Sequence, residues 1–297
     1  MSASGVPYLD MNWPVATGCL PEYQCWGKCW ARGMAHRFHR DFAPTFHPGT
    51  LPLPLHWRKA RKVGVCFTGD LFVKGITDEQ LAAVFGIMAA CPQHIFLVLT
   101  KRPHNMQRWL ASMKPQPRKD HGIKWDARAA DCWHAAEALY PALRTSTWGS
   151  EFIERAHTIE WPLHNVYLGV SVSTQADADE RIPYLLRCSA PFRFVSVEPM
   201  LESVNLSRYW LAGLTPTKRY PFPALEEEYR TRNIDLLDWV VCAAESGPKA
   251  RPLDLDWARD LRDQCAKGKV PFMLKDQRTY PPLDGIEWNQ MPWSDLA

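Results

Sequence analysis

"VYLGVSVSTQADADERIPYLLR", Val166–Arg187, holds the fold in miniature. Val166–Val172 is a continuous run of apolar, mostly β-prone residues with no polar alternation. A strand of that kind is buried on both faces. From Asp177 to Arg187 the apolar residues return at helical spacing. A fully buried strand followed directly by a helix is one β/α unit.

The same pairing recurs outward from there. Apolar runs stand at Val63–Phe67, Ile95–Leu99, Phe194–Val197, Trp239–Ala243 and Pro271–Leu274, with a shorter one near Trp13–Ala16. Helical spacing occupies Asp78–Ala90, Pro103–Met113 and Asp256–Lys267, and Thr77-Asp78 and Asp256 are acidic or hydroxylic helix starts. Six or seven β/α units imply an α/β fold with a parallel sheet, either a partial (β/α) TIM-like barrel or a doubly wound open sheet. The 297 residues suit a single barrel domain. Lys114–Pro162, rich in Trp, Pro and charge, and Tyr209–Asp235, with its acidic run Glu226–Glu228, read as insertions.

Composition narrows the class. A hydrophobic content of 46%, a charged content of 23% and 14 tryptophans exclude a disordered chain. There is no apolar run of membrane-spanning length and no export signal, so a cytoplasmic location is the expectation. The net charge of +3 is modest, but Lys101, Arg102, Arg108, Lys114, Arg118, Lys119, Lys124 and Arg128 face only Asp120 and Asp126 between positions 101 and 128. Either this stretch or Arg58–Lys62 is a solvated face or a phosphate contact.

In a β/α barrel the chemistry gathers where strands finish. Here each apolar run ends in polar residues: Thr68-Gly69-Asp70, Thr100-Lys101-Arg102, Ser171 with Ser173, Thr174 and Gln175, Glu198-Pro199, Glu245-Ser246-Gly247, and Lys275-Asp276-Gln277. Nine cysteines are present. Cys66, Cys91, Cys188, Cys242 and Cys265 stand singly in apolar or periodic stretches, as buried thiols do. Cys132 has no assignment. Cys19, Cys25 and Cys29 crowd into "TGCLPEYQCWGKCWARGMAHRF", Thr17–Phe38, just before a helical pattern. In a chain without an export signal they read as metal ligands. Three thiolates leave one iron of a four-iron cube open to a small molecule. Zinc would need a fourth ligand, for which His36 or His39 could serve.

The stretches "NWPVATGC", "CWGKCWARGMAHR", "GDLF", "LVLTKRP", "LGVSVSTQADADERIPYLL", "FVSVEPML", "DWVVCAAESGPKARPLD" and "LRDQCAKGKVPFMLKDQ", in order from Asn12 to Gln277, resemble the radical S-adenosylmethionine enzymes. They are most similar to a family of largely uncharacterised phage and bacterial proteins with a three-cysteine motif. The resemblance implies a partial barrel of the radical enzyme type, a [4Fe-4S] cluster on Cys19, Cys25 and Cys29, bound S-adenosylmethionine and an external electron donor of the flavodoxin or ferredoxin type. The chain departs from the usual motif. Five and then three residues separate the cysteines, where three and then two are usual. Lys28 precedes the third cysteine where an aromatic residue normally meets adenine, and Trp26 and Trp30 flank it instead.

On this reading Ser171, Ser173, Glu198 and Trp30 are candidate contacts of S-adenosylmethionine. Asp70, Glu245 and Lys275 are candidate catalytic groups facing the substrate. Lys101, Arg102, Arg118, Lys119 and Lys124 are candidate contacts for a carboxylate or phosphate. The expected substrate is a nucleic-acid base, foremost a modified thymine in phage DNA that is rearranged or remodelled, or else a free nucleoside. A non-catalytic, zinc-stapled nucleic-acid-binding protein is the reading from another class.

Overall fold

The computed structural model describes residues 5–22, 27–120, 123–206, 237–247, 250–275 and 282–293. They form two compact units, one of residues 1–168 with 188–191 and one of residues 169–187 with 192–297.

In the first unit, β1 (Met11–Trp13), β4 (Lys62–Val65) and β5 (Ile95–Thr100) pair in parallel, with Met11 opposite Val63 and Lys62 opposite Ile95. β2 (Ala16–Thr17) and β3 (Thr45–Phe46) make a small antiparallel ribbon. Strand β8 (Val166–Val172) begins in this unit and continues into the second. There β9 (Phe192–Val197), β10 (Trp239–Cys242) and β11 (Phe272–Leu274) pair in parallel. The order along the sheet is β1-β4-β5-β8-β9-β10-β11. Among the described residues no strand of that order doubles back, and none makes a switch point of the doubly wound kind. Sequential parallel winding is that of a β/α barrel, and with β1 and β11 as its two ends it is a partial one, the fold class expected.

The helices follow from local chemistry. α1 (Trp30–Arg37) starts directly after Cys29. α2 (Asp78–Ala90) opens on a capping box, in which Thr77 Oγ1 accepts from Gln80 N (3.3 Å) and Gln80 Oε1 accepts from Thr77 N (2.9 Å). α3 (Pro103–Ser112) carries Pro at its first position. Lys114–Pro162 holds a hairpin, β6 (Pro117–Asp120) and β7 (Ile123–Asp126), then α4 (Arg128–Leu139) and α5 (Thr147–Arg155). In the second unit, α6 (Gln175–Leu186) and α7 (Leu255–Gly268) start at Thr174 and Asp254, whose side chains accept from Asp177 N and Asp256 N. The insertion expected at Tyr209–Asp235 lies outside the described residues.

Each unit has its own core. Trp13, Phe96, Val84 and Trp133 are fully buried in the first, and Phe194, Trp239, Val240 and Leu261 in the second. The singly placed cysteines are all buried, Cys132 included. Burial pushes the thiols of Cys66, Cys91 and Cys132 up to about 12, and those of Cys242 and Cys265 also well up. They act as small apolar side chains. Among the described residues no helix is long and apolar enough to cross a membrane.

Candidate functional site

Two glycines bring the first cysteine to the end of β4. Gly18 and Gly69 form an isolated parallel bridge, with Gly18 N 3.4 Å from Thr68 O. A methyl group on Gly69 would lie 2.7 Å from Gly18 O, and one on Gly18, at φ +85°, only 2.1 Å from Ala43 O. Neither position tolerates a side chain. The residues that follow these glycines, Cys19 and Asp70, are thereby set at one place.

Asp70 is 5% exposed and accepts four hydrogen bonds. Its Oδ1 takes Phe72 N (2.9 Å) and the Thr100 hydroxyl (2.7 Å). Its Oδ2 takes Lys101 N (3.0 Å) and Arg102 Nη1 (3.1 Å). The Arg102 side chain, 1% exposed, also donates from Nε to Glu22 Oε2 (2.8 Å), from Nη1 to Cys19 Sγ (3.3 Å) and from Nη2 to Leu20 O (3.4 Å). Its two carboxylates and the Cys19 sulfur, working against burial, raise its pKa further. The end of β5 thus reaches the cysteine loop through one guanidinium.

The two described cysteines of the motif stand in different surroundings. Burial pushes the Cys19 thiol above its ordinary value, but the charge of Arg102 and its hydrogen bond pull the other way. Cys29 is the residue before the first turn of α1, and its side chain makes no capping hydrogen bond there. Cys25 lies outside the described residues, and among those described no three His, Cys, Asp or Glu side chains gather as a metal site. A sulfur ligand of a cluster fits at Cys19, whose Sγ already accepts from the buried Arg102 guanidinium. Trp30 opens α1 and is 48% exposed, while His36 and His39, the alternative zinc ligands, are exposed at and beyond its far end.

In the second unit the strand ends are also paired. Lys275 Nζ donates to Glu198 Oε1, each side chain about a quarter exposed, and Ser196 Oγ lies 3.5 Å from Glu198 Oε2. Ser171 Oγ donates to the Glu198 carbonyl (3.3 Å), and Ser173 N donates to Asp177 Oδ2 (2.8 Å). Glu245 accepts from Arg251 through N (2.9 Å), Nε (3.0 Å) and Nη2 (2.6 Å). So Glu198 and Lys275, expected in different roles, are brought together, and Glu245 is held by an arginine that the strand-end reading did not include.

The cationic candidates divide. Lys101 is half-buried and contributes its backbone N–H to Asp70. Arg118 on β6 is about half exposed and donates to Asp131 Oδ1 (3.2 Å), and Lys119 beside it is exposed. Lys124 lies on β7, opposite Lys119 in the hairpin register. Sequence reasoning missed Glu22 as the outer clamp of Arg102. The signal that points to the cluster of contacts is the pair "TGC" and "TGD", a glycine before each residue that the bridge brings close.

No curated protein matches the chain. Among solved structures, spore photoproduct lyase complexed with dinucleoside spore photoproduct aligns at 12% identity and a TM-score of 0.45, over 94% of this chain and 76% of that one. Over residues 3–292 the sequence matches the family described as "Protein of unknown function (DUF5131)", and the chain belongs to it.

Proposed function

We propose that this protein is a radical S-adenosylmethionine enzyme that remodels a nucleic-acid base. The observation that carries the reading is Cys19, brought by the Gly18–Gly69 bridge against the buried Arg102–Asp70 pair at the barrel strand ends. Cys19, Cys25 and Cys29 would hold a [4Fe-4S] cluster, and three ligands leave one iron for the amino acid end of S-adenosylmethionine. When bound, that pair supplies a 5′-deoxyadenosyl radical able to take a hydrogen atom from an unactivated carbon.

The protein's own residues bind and orient. Arg102 holds the Cys19 sulfur, and Asp70 and Glu22 hold Arg102. In the proposal Ser171, Ser173 and Glu198 meet the ribose and amino acid ends of the cofactor. Lys275 holds the Glu198 carboxylate in position until an ammonium group takes its place. Glu245, clamped by Arg251, faces the substrate. The exposed cations Arg118 and Lys119 on the β6–β7 hairpin support a polyanionic partner. The proposed substrate is a modified thymine in phage DNA, with the free nucleoside as the smaller form of the same chemistry.

The test is anaerobic purification followed by incubation with dithionite, S-adenosylmethionine and candidate DNAs. About four irons per chain, broad absorption near ~400 nm that bleaches on reduction, and formation of 5′-deoxyadenosine are expected. A colourless preparation with one zinc per chain sinks the proposal.

A further inference from the structure

We infer that Arg102 is a positioning residue that raises the reduction potential of the cluster through its hydrogen bond to the Cys19 sulfur. This rests on the cluster reading above and adds to it a residue outside the three-cysteine motif.

Arg102 presents an unusual arrangement. A guanidinium cannot shed its proton, so burying one carries a large desolvation penalty unless anions surround it. Its side chain is 1% exposed, and of the two carboxylates it meets among the described residues Asp70 is buried while Glu22 is 45% exposed. The third acceptor is a sulfur, at 3.3 Å from the same Nη1 that reaches Asp70. A neutral thiol is a poor acceptor for a buried cation. A thiolate bound to iron is a strong one, because the hydrogen bond then joins two charges. The site is therefore better matched to a ligated Cys19 than to a free thiol.

The direction of the effect follows from charge. A [4Fe-4S] core with three thiolates becomes more negative by one unit when it accepts an electron. A fixed cation donating to one of those sulfurs stabilises the reduced form more than the oxidised one, and hydrogen bonds to cluster sulfurs are a recognised determinant of potential. Asp70, Glu22 and the Leu20 carbonyl hold the guanidinium from three further directions, so the donor cannot swing away when the cluster changes charge. The backbone N–H of Arg102 is fixed as well, on Thr100 Oγ1 (2.8 Å).

The experiment uses the full chain, reconstituted anaerobically with iron and sulfide. Iron per chain is measured first, and the midpoint potential second, by a redox titration followed through the spectrum of the reduced cluster. Arg102→Met is expected to keep its iron and to titrate at a more negative potential than wild type. Arg102→Lys, which retains the charge but not the fork, should lie between them. If Arg102→Met does not load iron, Arg102→Gln takes its place: it keeps a polar side chain without the charge and should also titrate at a more negative potential than wild type. Iron-loaded variants whose midpoints equal wild type overturn the inference and leave the cluster reading standing. Wild-type protein that takes up no iron overturns the cluster reading itself, and the role of Arg102 with it.

Discussion

Replacing Asp70 by Asn tests whether the strand-end network is an electrostatic unit. The carboxylate accepts two donors on each oxygen: Phe72 N and Thr100 Oγ1 on one, Lys101 N and Arg102 Nη1 on the other. An amide has one oxygen and one donor group, so one side must fail. The Thr100 hydroxyl can rotate and accept, since a lone pair remains beside the one used by Arg102 N. The amide NH₂ should therefore turn toward Phe72 and Thr100, leaving the Phe72 N–H orphaned. That orphan costs about 1–3 kcal/mol. The buried Arg102 loses the buried counter-charge it has among the described residues, and breaking a buried pair from one side costs about 3–5 kcal/mol, a figure that already contains part of the first.

A double-mutant cycle separates the two contributions. In Arg102→Met no buried cation remains and the Asp70 carboxylate is itself uncompensated, so adding Asp70→Asn should cost at most the orphaned amide. The coupling between the two sites should then be about 2 kcal/mol, well beyond the roughly 0.3–0.5 kcal/mol scatter of independent sites. Urea unfolding of the four iron-free proteins, followed by tryptophan fluorescence at constant pH, reads it directly. If the two changes add within that scatter, Arg102 does not depend on the charge of Asp70, and the network is only a set of separate contacts.

Gly86→Ala should destabilise the first unit, because the new methyl would stand 2.3 Å from Cys132 O and 2.7 Å from Trp133 N, both backbone atoms of α4. A net loss of about 1–3 kcal/mol is expected from overpacking, while Gly33→Ala on α1, with nothing within 4 Å, should be neutral or stabilising; thermal melts that rank the two the other way refute the packing argument. On the β6–β7 hairpin, changing Arg118, Lys119 and Lys124 to Ala should flatten the dependence of log DNA affinity on log salt by about 0.7–0.9 per lost phosphate contact. An unchanged slope, or full turnover of a free nucleoside with no gain from polymer DNA, would leave a small-molecule substrate.

What could be read from the sequence was what depends on near neighbours. The run Val166–Val172 is a strand over those same residues, and Asp78–Ala90 a helix over those same residues, because a buried period and a capping box are local signals. The misplacements are local too. The first strand ends at Trp13, not Ala16, since Pro14 has no N–H to give. β4 stops at Val65 because Cys66 takes a left-handed φ of 58°, which turns the chain toward Gly69. α4 was hidden in the insertion because its buried face is made of small residues, Ala129, Ala130, Cys132 and Ala136 beside Trp133, which leave little apolar period to detect.

Pairing was not legible, because it is set by topology across long stretches of chain. Arg102 meets Cys19 from 83 positions away, and Lys275 meets Glu198 from 77. Read one strand at a time, the strand ends form a row of unattached charges suited to a ligand. In the fold the carboxylates of that row among the described residues are already held by a cation of their own unit: Asp70 by Arg102, Glu198 by Lys275, Glu245 by Arg251. Charges left unpaired at poorly solvated strand ends would be costly in the unliganded protein. Pairing removes that cost and imposes a condition on binding. A ligand that takes one member of a pair must bring a charge of the sign it displaces, as an ammonium does for Lys275 or a carboxylate for Glu245. Under the proposed function S-adenosylmethionine, with an ammonium and a carboxylate on one carbon, would meet that condition at either kind of pair.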